Sequence, residues 1–288
     1  MKICIYNDNR LGLVDGDEVV DITHLMAMLP VPSWPYPRYD WLLGHFDTLR
    51  PALATLNLQE NRLPLTAVCL LAPVASPGKI IGAPINYRDH IVEANADHEI
   101  NHGKTYTTLD QYGLFLKANT CLAGPNIDIE YPFPERRTDH EVELGVVIGR
   151  AGRRISRENA LDHVFGYCVA LDMTVRGPEF PGFRKSADGF GVIGPWITTK
   201  DEVPDPNTLD LTLTVNGEVR QASNTRYLLF DVQRLVEYAS AMYTLEPGDI
   251  IMTGTPAGVG PVLPGDEICA TVEGLGSLRV RMAQSERK

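Results

Sequence analysis

Alternating hydrophobic and polar residues dominate the chain after residue 79 and predict mainly β-structure. Successive side chains of a strand point to opposite faces, so alternation indicates strands with a buried face. The predicted strands are 142–149, 166–173, 192–198, 209–215, 249–253, 267–272 and 277–282. Asn216 and Gly217 lie between two alternating runs and predict a type I′ hairpin, whose two central residues need positive φ.

Helical spacing is confined to a few segments. A helix is predicted over 228–243, where Leu229, Val232 and Leu235 share one face that can cover the sheet. A shorter helix is predicted from Ser156, a good N-cap, to about His163. In the first part of the chain, short strands precede residue 22, and segments 22–29 and 41–58 have helical spacing, the latter interrupted by Pro51.

Proline-rich segments suggest how the chain is divided. Prolines crowd residues 30–37 and return in 71–78, which is typical of loops and linkers. We therefore predict a small N-terminal α+β accessory domain over residues 1–76 and a larger, β-rich domain over residues 77–288.

Composition narrows the function classes. The 288 residues carry 26 Lys+Arg against 37 Asp+Glu, a formal net charge of −11 that argues against nucleic acid as a partner. No uncharged stretch reaches the roughly 20 apolar residues of a membrane-spanning helix, and the first residues lack the apolar core of a signal peptide. The five cysteines are scattered without a C-x-x-C pair, which predicts buried thiols in a reducing cytoplasm.

Several familiar active-site motifs are absent from the sequence. There is no G-x-x-x-x-G-K-[ST] phosphate loop, no G-x-S-x-G nucleophile elbow and no H-E-x-x-H zinc helix. The glycines of 254–260 have the wrong spacing for a dinucleotide site, and Pro261 follows where a helix should run. Two interpretations of this segment stay open: a tight surface loop, or a loop whose amides and Thr255 hydroxyl hold a substrate carboxylate.

Acidic residues at the head of an apolar strand are the sharpest chemical signal. Alternation from Val142 to Ile148 places Glu141 and Glu143 together on the opposite face, with Gly145 and Val147. Adjacent carboxylates raise each other's pKa unless a cation lies between them, and hard divalent ions prefer oxygen ligands. The alternative is a solvated strand end.

A third carboxylate occurs in the next apolar strand. Asp172 interrupts a run of buried-looking residues and needs a partner there. If the two strands pair, Asp172 completes a three-carboxylate site with Glu141 and Glu143. Mg²⁺ and Mn²⁺ share these ligand preferences, so the prediction is Mg²⁺ or Mn²⁺.

Further groups suit acid–base work. His90 and Glu93 are three residues apart, so on a helical turn the carboxylate can orient the imidazole; the alternative is an exposed His/Glu pair. Lys185 can stabilise an enolate oxygen, or is simply a loop lysine.

The order of these motifs is more specific than any one of them. In sequence order they are Asn86-Tyr87 with His90 and Glu93, Phe115-Leu116-Lys117, His140 to Gly145, Gly166-Tyr167, Leu171-Asp172-Met173-Thr174 with Arg176, Lys185-Ser186, Val215 to Glu218 with Arg220-Gln221, Leu245 to Asp249, and Gly254 to Gly260. From Lys79 to Met282 the chain resembles the fumarylacetoacetate hydrolase family, within it the acylpyruvase and oxaloacetate decarboxylase type.

The resemblance implies a fold and a set of roles. The fold is a β-rich α+β mixed β-roll, as a homodimer, with a small N-terminal domain. By motif position, Glu141, Glu143 and Asp172 would bind Mg²⁺ or Mn²⁺, Lys185 would lie beside the substrate oxygen, and His90 with Glu93 would form a dyad on a closing segment. Arg176, Thr255 and Lys117 would contact substrate.

The implied reaction is hydrolysis of a carbon–carbon bond in an acylpyruvate or related 2,4-dioxo acid. Water activated by the dyad would attack C4, and cleavage between C3 and C4 would leave a pyruvate enolate. Other reactions of a keto acid on the same site stay open: oxaloacetate decarboxylation, isomerisation of a 2-hydroxydienoate, or dehydration of a sugar-derived keto acid. A silent binding protein is a further alternative, against which both dyad residues argue.

Two departures from the family pattern bear on the substrate. After Arg176 the acylpyruvase type commonly continues with an acid and, soon after, a glutamine that contacts substrate, whereas residues 177–182 here read Gly-Pro-Glu-Phe-Pro-Gly, without that glutamine. Residues 94–113 are longer than in the shortest members, which predicts either a lid over a larger substrate or a mobile loop, with the lid favoured.

Overall fold

Three β-sheets form the framework of the protein in this computed structural model, which describes residues 1–284. The strands in chain order are β1 (Lys2–Tyr6), β2 (Arg10–Asp15), β3 (Glu18–Asp21), β4 (Arg62–Pro64), β5 (Ile80–Gly82), β6 (Phe115–Lys117), β7 (Leu122–Ala123), β8 (Asp128–Glu130), β9 (Thr138–His140), β10 (Val142–Ile148), β11 (Val164–Asp172), β12 (Thr174–Val175), β13 (Gly191–Thr199), β14 (Asp210–Val215), β15 (Glu218–Asn224), β16 (Ile250–Met252), β17 (Gly260–Pro261), β18 (Glu267–Val272) and β19 (Gly276–Ala283).

Helices are short and few by comparison. The α-helices are α1 (Trp41–Gly44), α2 (Arg50–Leu53), α3 (Arg88–Ala96), α4 (His98–Asn101), α5 (Leu109–Tyr112), α6 (Pro181–Arg184) and α7 (Val232–Met242). The 3₁₀ helices are Thr23–Met28, Phe46–Thr48, Leu65–Ala67, Asn119–Cys121, Arg157–His163, Lys200–Glu202 and Thr225–Tyr227. Among residues 1–284, none of them combines the length and apolar composition of a transmembrane segment.

The two larger sheets are mixed, and they pack in layers. The largest has eleven strands in the order β4-β3-β2-β1-β13-β11-β10-β16-β5-β6, with β7 beside β13. A five-stranded sheet has the order β15-β14-β18-β19-β8, and β12-β9-β17 form a small third sheet. Strands β10, β11 and β13 of the largest sheet pack against the five-stranded sheet. The prediction of a β-rich α+β fold is confirmed.

Strand β10 is buried on both faces, which decides the environment of its acids. Val142, Leu144, Val146 and Ile148 enter the core cluster shared with the five-stranded sheet. On the opposite face Val147 packs in a second cluster with the N-terminal part of the chain. The predicted alternation of β10 is confirmed.

The N-terminal segment joins the main sheet instead of standing apart from it. Strand β1 pairs antiparallel with β13, with Ile3 opposite Ile197, so β1 to β4 extend the eleven-stranded sheet. Leu43 and Phe46 pack against the same sheet. The boundary near residue 76 stays a prediction.

The predicted hairpin is present, whereas the predicted helix over 228–243 starts later than expected. Asn216 and Gly217 have φ of 52° and 82°, so the hairpin is confirmed. Helix α7 begins at Val232, not Leu228, because the Asp231 carboxylate accepts the Arg234 backbone N–H (2.8 Å) and caps it there.

Other segments with helical spacing form shorter or tighter turns. The predicted helices over 22–29 and from Ser156 to His163 are 3₁₀ helices. Segment 41–58 contains three short helices, which are α1, the 3₁₀ helix Phe46–Thr48 and α2. Pro51 lies in the first turn of α2, where its missing N–H costs nothing, so it does not interrupt a helix. The prediction of buried thiols is wrong for Cys69, which is exposed, and for Cys269, which is half-buried.

Candidate active site and metal centre

Pairing of β10 with β11 brings the three predicted carboxylates together. Leu171 lies opposite Val142, and the Asp172 N–H donates to the Glu141 carbonyl oxygen (2.9 Å). Glu141, Glu143 and Asp172 each offer one carboxylate oxygen within 4.8 Å of the others, and all three side chains are buried.

Lys185 reaches this cluster from the end of α6. Its Nζ donates to Glu141 Oε2 (2.5 Å), Asp172 Oδ2 (2.6 Å) and Thr174 Oγ1 (2.7 Å). The side chain is buried, so the loop-lysine alternative does not describe it. Its three N–H groups are all engaged.

Two other basic residues, both predicted to contact substrate, hold carboxylates of the protein. Arg176 donates to Asp139 Oδ2 (2.6 Å) and Glu141 Oε1 (2.9 Å). Lys117 donates to Asp172 Oδ1. Arg176 also lines the cavity over the cluster. A substrate contact by Arg176 or by Lys117 stays a prediction.

Glu143 is the carboxylate that these cations do not reach. One oxygen accepts the Gly254 N–H (2.7 Å), and within residues 1–284 it forms no ion pair. Burial and the neighbouring charges of Asp172 and Glu141 raise its pKa well above the ordinary value. Burial acts on Glu141 in the same direction, but the positive charges of Lys185 and Arg176 outweigh it and hold the Glu141 pKa well below its usual range.

The surplus of negative charge over positive charge around Glu143 suits a bound divalent cation. Three oxygen donors converge, and the Glu143 carboxylate, when ionised, has no cationic partner among the described residues. A hard ion such as Mg²⁺ or Mn²⁺ takes carboxylate oxygens and would neutralise that charge.

The His90–Glu93 dyad lies on α3. His90 Nδ1 is 2.9 Å from Glu93 Oε2, and Glu93 Oε1 accepts the Gly258 N–H (2.8 Å). His90 is buried and lines the cavity, so the two residues are not an exposed surface pair. Glu93 therefore orients the ring and ties α3 to the glycine loop.

The glycine loop 254–260 is largely buried, which excludes the surface-loop interpretation. Its amides at Gly254 and Gly258 hold carboxylates of the protein itself. The Thr255 hydroxyl accepts a hydrogen bond from Gln221 Nε2 (2.7 Å), and Gln221 Oε1 accepts the Val142 N–H (3.0 Å). The structure thus places Thr255 in a link between the loop and β10; a substrate contact stays a prediction.

A cavity of about 420 Å³ lies over the cluster. Its lining includes His90, Glu141 and Lys185, together with α6 and much of segment 94–113. That segment is folded: it contains α4 and α5, and the buried Asn101 amide donates to the carbonyls of Ala94 (3.2 Å) and Asn95 (3.1 Å). Its role as a moving lid stays a prediction.

Two residues of the family motifs, Gln221 and Asn86, position the site, although the sequence assigned no role to either. Gln221 is described above; Asn86 donates to the carbonyls of Phe230 and Thr253 (2.8 Å each) and accepts the Phe230 N–H (2.7 Å). Asn86 thereby fixes the chain just before α3. Its place in the family motif was the only sequence signal, since an asparagine before a helix has many ordinary uses.

The fold and the site define a metal-dependent hydrolase. The family described as "Fumarylacetoacetate (FAA) hydrolase C-terminal" matches residues 79–283. A maleylpyruvate hydrolase from Aquipseudomonas alcaligenes is 51% identical over 282 residues, 97% of this chain and 98% of that protein. The chain belongs to the fumarylacetoacetate hydrolase family, as its motifs predict.

Two solved structures are similar to this chain over nearly its full length. The crystal structure of maleylpyruvate hydrolase from Sphingobium sp. SYK-6, in complex with a manganese(II) ion and pyruvate, is 41% identical with a TM-score of 0.84. The match covers 99% of this chain and 100% of that one. A 2-hydroxyhepta-2,4-diene-1,7-dioate isomerase from Mycobacterium marinum matches at 29% identity and TM-score 0.75, covering 100% of both chains.

Proposed function

We propose that this protein hydrolyses acylpyruvates, maleylpyruvate among them, between C3 and C4 with Mg²⁺ or Mn²⁺ as cofactor. The observation that carries the proposal is one cavity lined by His90, Glu141 and Lys185, with Glu143 and Asp172 beside them. Two maleylpyruvate hydrolases are similar over nearly the whole chain, and one was crystallised with manganese and pyruvate.

The metal would be held by Glu141, Glu143 and Asp172. When bound, a divalent ion supplies Lewis-acid polarisation of the 2-oxo acid group. The protein's own residues supply the proton transfers, the local charge and the exclusion of water.

His90 acts as the general base. Glu93 accepts a hydrogen bond from Nδ1–H and keeps the proton on that nitrogen, so the other ring nitrogen is free to take a proton from water. The resulting hydroxide adds to the C4 carbonyl. The C3–C4 bond then breaks, its electron pair passes into the pyruvate enolate, and the proton returns to C3, giving pyruvate and the carboxylic acid of the acyl group.

Lys185 contributes a fixed positive charge. Its hydrogen bonds to Glu141, Asp172 and Thr174 hold the ammonium group in place at the edge of the cavity. A cation placed in advance where negative charge develops stabilises the enolate without reorganisation.

The test is turnover of acetylpyruvate by chelator-treated protein, with and without added Mg²⁺ or Mn²⁺, while pyruvate release is measured with a coupled dehydrogenase. We expect metal-dependent loss of the diketo-acid absorbance with one pyruvate per substrate. Loss of absorbance without pyruvate, or no turnover of acetylpyruvate and maleylpyruvate with either metal, would contradict the proposal and favour decarboxylation, isomerisation or dehydration.

Replacement of the base gives a sharper test. His90→Ala should lower kcat for hydrolysis about 10²–10⁴-fold, because water loses its proton acceptor, while Mn²⁺ binding is retained. Oxaloacetate decarboxylation needs no attacking water, so any such side activity should fall much less. Equal losses in both activities would argue against His90 as the base.

Organisation of the protein belongs to the same proposal. We propose that residues 1–76 are an accessory unit to a catalytic domain over 77–288, since the family match begins at residue 79. We also propose a homodimer, as the family pattern implies, and a cytoplasmic location, in keeping with five cysteines that are all unpaired. Light scattering of the purified protein checks the dimer.

A further inference from the structure

Arg184 lines the cavity, yet the reaction described above gives it no role. The side chain is 9% exposed and its Nε donates to the Glu179 carbonyl (3.1 Å). Its Nη1 is buried without a hydrogen-bond partner in the described chain. The Glu179 carboxylate is paired with Arg136 instead (3.1 and 2.8 Å) and makes no hydrogen bond or ion pair with Arg184.

A buried cation in this condition is unusual. No carboxylate of residues 1–284 lies within ion-pair distance of the Arg184 guanidinium. Burial lowers its pKa, and the positive charge of Arg176 adds to the effect. Buried charges in native proteins are normally paired, so the cavity side of Arg184 is suited to receive an anion.

A second unpartnered group also lines the cavity. His102, at the end of α4, has its Nε2 buried without a partner among the described residues. Burial and the nearby charge of Arg184 lower the pKa of His102, which favours the neutral ring with one N–H to donate. Arg184 belongs to α6 and His102 to segment 94–113, so the two groups come from different walls.

We propose that Arg184, with His102, binds a second carboxylate at the far end of the substrate's acyl arm. The site then selects 2,4-dioxo acids with two carboxylates over monocarboxylic acylpyruvates. This inference rests on the proposed function and deepens it. The 2-oxo acid end belongs to the metal cluster, and Arg176 is committed to Asp139 and Glu141, which leaves Arg184 as the buried cation of the cavity free for the other end.

The experiment compares kcat/KM for maleylpyruvate and acetylpyruvate in wild type and Arg184→Met. A lost charge-assisted, bidentate contact should lower the maleylpyruvate-to-acetylpyruvate ratio about 10- to 150-fold, mainly through KM. Because the ratio is internal to each variant, partial misfolding lowers both terms and does not imitate the result. Arg184→Lys should recover part of the preference, since it keeps the charge but not the planar fork.

Lys104 provides the matched control. It also lines the cavity and is a cation, but its side chain is exposed. Lys104→Met should change the ratio less than threefold. A larger loss in Lys104→Met than in Arg184→Met, or an unchanged ratio in Arg184→Met, overturns the proposal.

A binding measurement separates this proposal from the proposed function. Calorimetry in Mn²⁺ compares 2-oxoheptanedioate with 2-oxoheptanoate, which lack the 4-oxo group and cannot be hydrolysed. Tighter binding of the diacid by wild type, lost in Arg184→Met, supports the role of Arg184 even if no acylpyruvate is cleaved. Turnover of both substrates without discrimination in wild type would leave hydrolysis standing and exclude the second carboxylate site.

Discussion

Glu143 differs from Glu141 and Asp172 because it lacks a cationic partner in the described chain. Each of the others accepts hydrogen bonds from two basic side chains, whereas Glu143 accepts one from a backbone amide. Affinity for a divalent ion should therefore depend most strongly on this residue, since the ion is its natural counter-charge.

Glu143→Gln should weaken Mn²⁺ binding about 100-fold or more and abolish hydrolysis, because a neutral amide replaces the uncompensated ligand. Calorimetric titration of chelator-treated protein with Mn²⁺ measures this directly. Glu130→Gln, which removes an exposed carboxylate, is the control and should bind Mn²⁺ normally. Wild-type affinity in Glu143→Gln would exclude Glu143 as a ligand.

Asp21 is a carboxylate whose pKa is lowered by its neighbours, in contrast to Glu143, whose pKa is raised. Its carboxylate accepts hydrogen bonds from the Tyr6 hydroxyl (2.6 Å), Arg10 Nε (2.7 Å) and the Thr23 N–H (2.8 Å). Burial alone would raise its pKa, but these donors together outweigh burial and lower it to about 2. Stabilisation by Asp21 is thus present above about pH 4, the ordinary value for Asp, and is lost as pH falls towards 2.

Asp21→Asn should lower the free energy of unfolding by about 1–2 kcal/mol at pH 7. The difference from wild type should shrink between pH 4 and pH 2, where the native carboxylate also becomes protonated. Urea titrations at several pH values measure both effects. Asp17→Asn, at an exposed turn nearby, should show neither, and a pH-independent difference for Asp21→Asn would contradict the assigned cause.

Elements that are remote in sequence meet at Gly258. Its N–H supports Glu93 of α3, its φ is +98°, and a Cβ there would lie 2.1 Å from the Arg220 carbonyl oxygen of β15. The glycine loop therefore fits between α3 and β15 only without a side chain.

Gly258→Ala should destabilise the protein by about 1–3 kcal/mol more than Gly265→Ala, because the clash with Arg220 adds to backbone strain. Gly265 has nearly the same φ, +97°, but open space around its Cβ position, so it isolates the strain. Guanidinium denaturation compares the two. Gly258→Ala should also lower kcat, since Glu93 loses its support; equal stability of the two variants would show that the loop adjusts freely.

The elements also show what the sequence could predict. Alternation in β10 placed Glu141 and Glu143 on one face, and the hairpin at Asn216-Gly217 followed from turn chemistry. The inward position of Gln221 could not be predicted from the sequence. Leu213 pairs with Gln221, whereas Thr214 pairs with Val219. Arg220 is therefore an extra residue that breaks the alternation of β15.

The sequence also could not predict which carboxylate each basic side chain of the site would bind. Arg176 and Lys117 were predicted to contact substrate, since their motif positions indicate nearness to the site but not which acid each would hold. Arg184 carried no signal, because a loop arginine is ordinarily exposed; only its packing in the cavity distinguishes it.

Across the whole molecule, burial sorts the five cysteines by reactivity. Burial raises the pKa of Cys4 and of Cys168 to about 12, and Cys121 is also buried, whereas Cys69 is exposed and Cys269 half-buried. Thiolate is the reactive form, so access and pKa act in the same direction.

A thiol titration of native protein with a disulfide reagent at pH 8 should show one fast group, Cys69, and one slower group, Cys269. The other three should react only after unfolding. Cys69→Ser should remove the fast phase and leave the total after denaturation lower by one. Fast reaction of three or more thiols in native protein would mean that the core opens readily.

The pairing of β1 with β13 has a consequence for biosynthesis. Strand β1 is synthesised early, but its pairing partner β13 is synthesised nearly two hundred residues later, since Ile3 lies opposite Ile197. At roughly 5–20 residues per second this is a delay of about 10–40 s. During that time β1 to β3 can form their local hairpins, but the β1 edge that β13 will cover stays open to pairing with neighbouring chains.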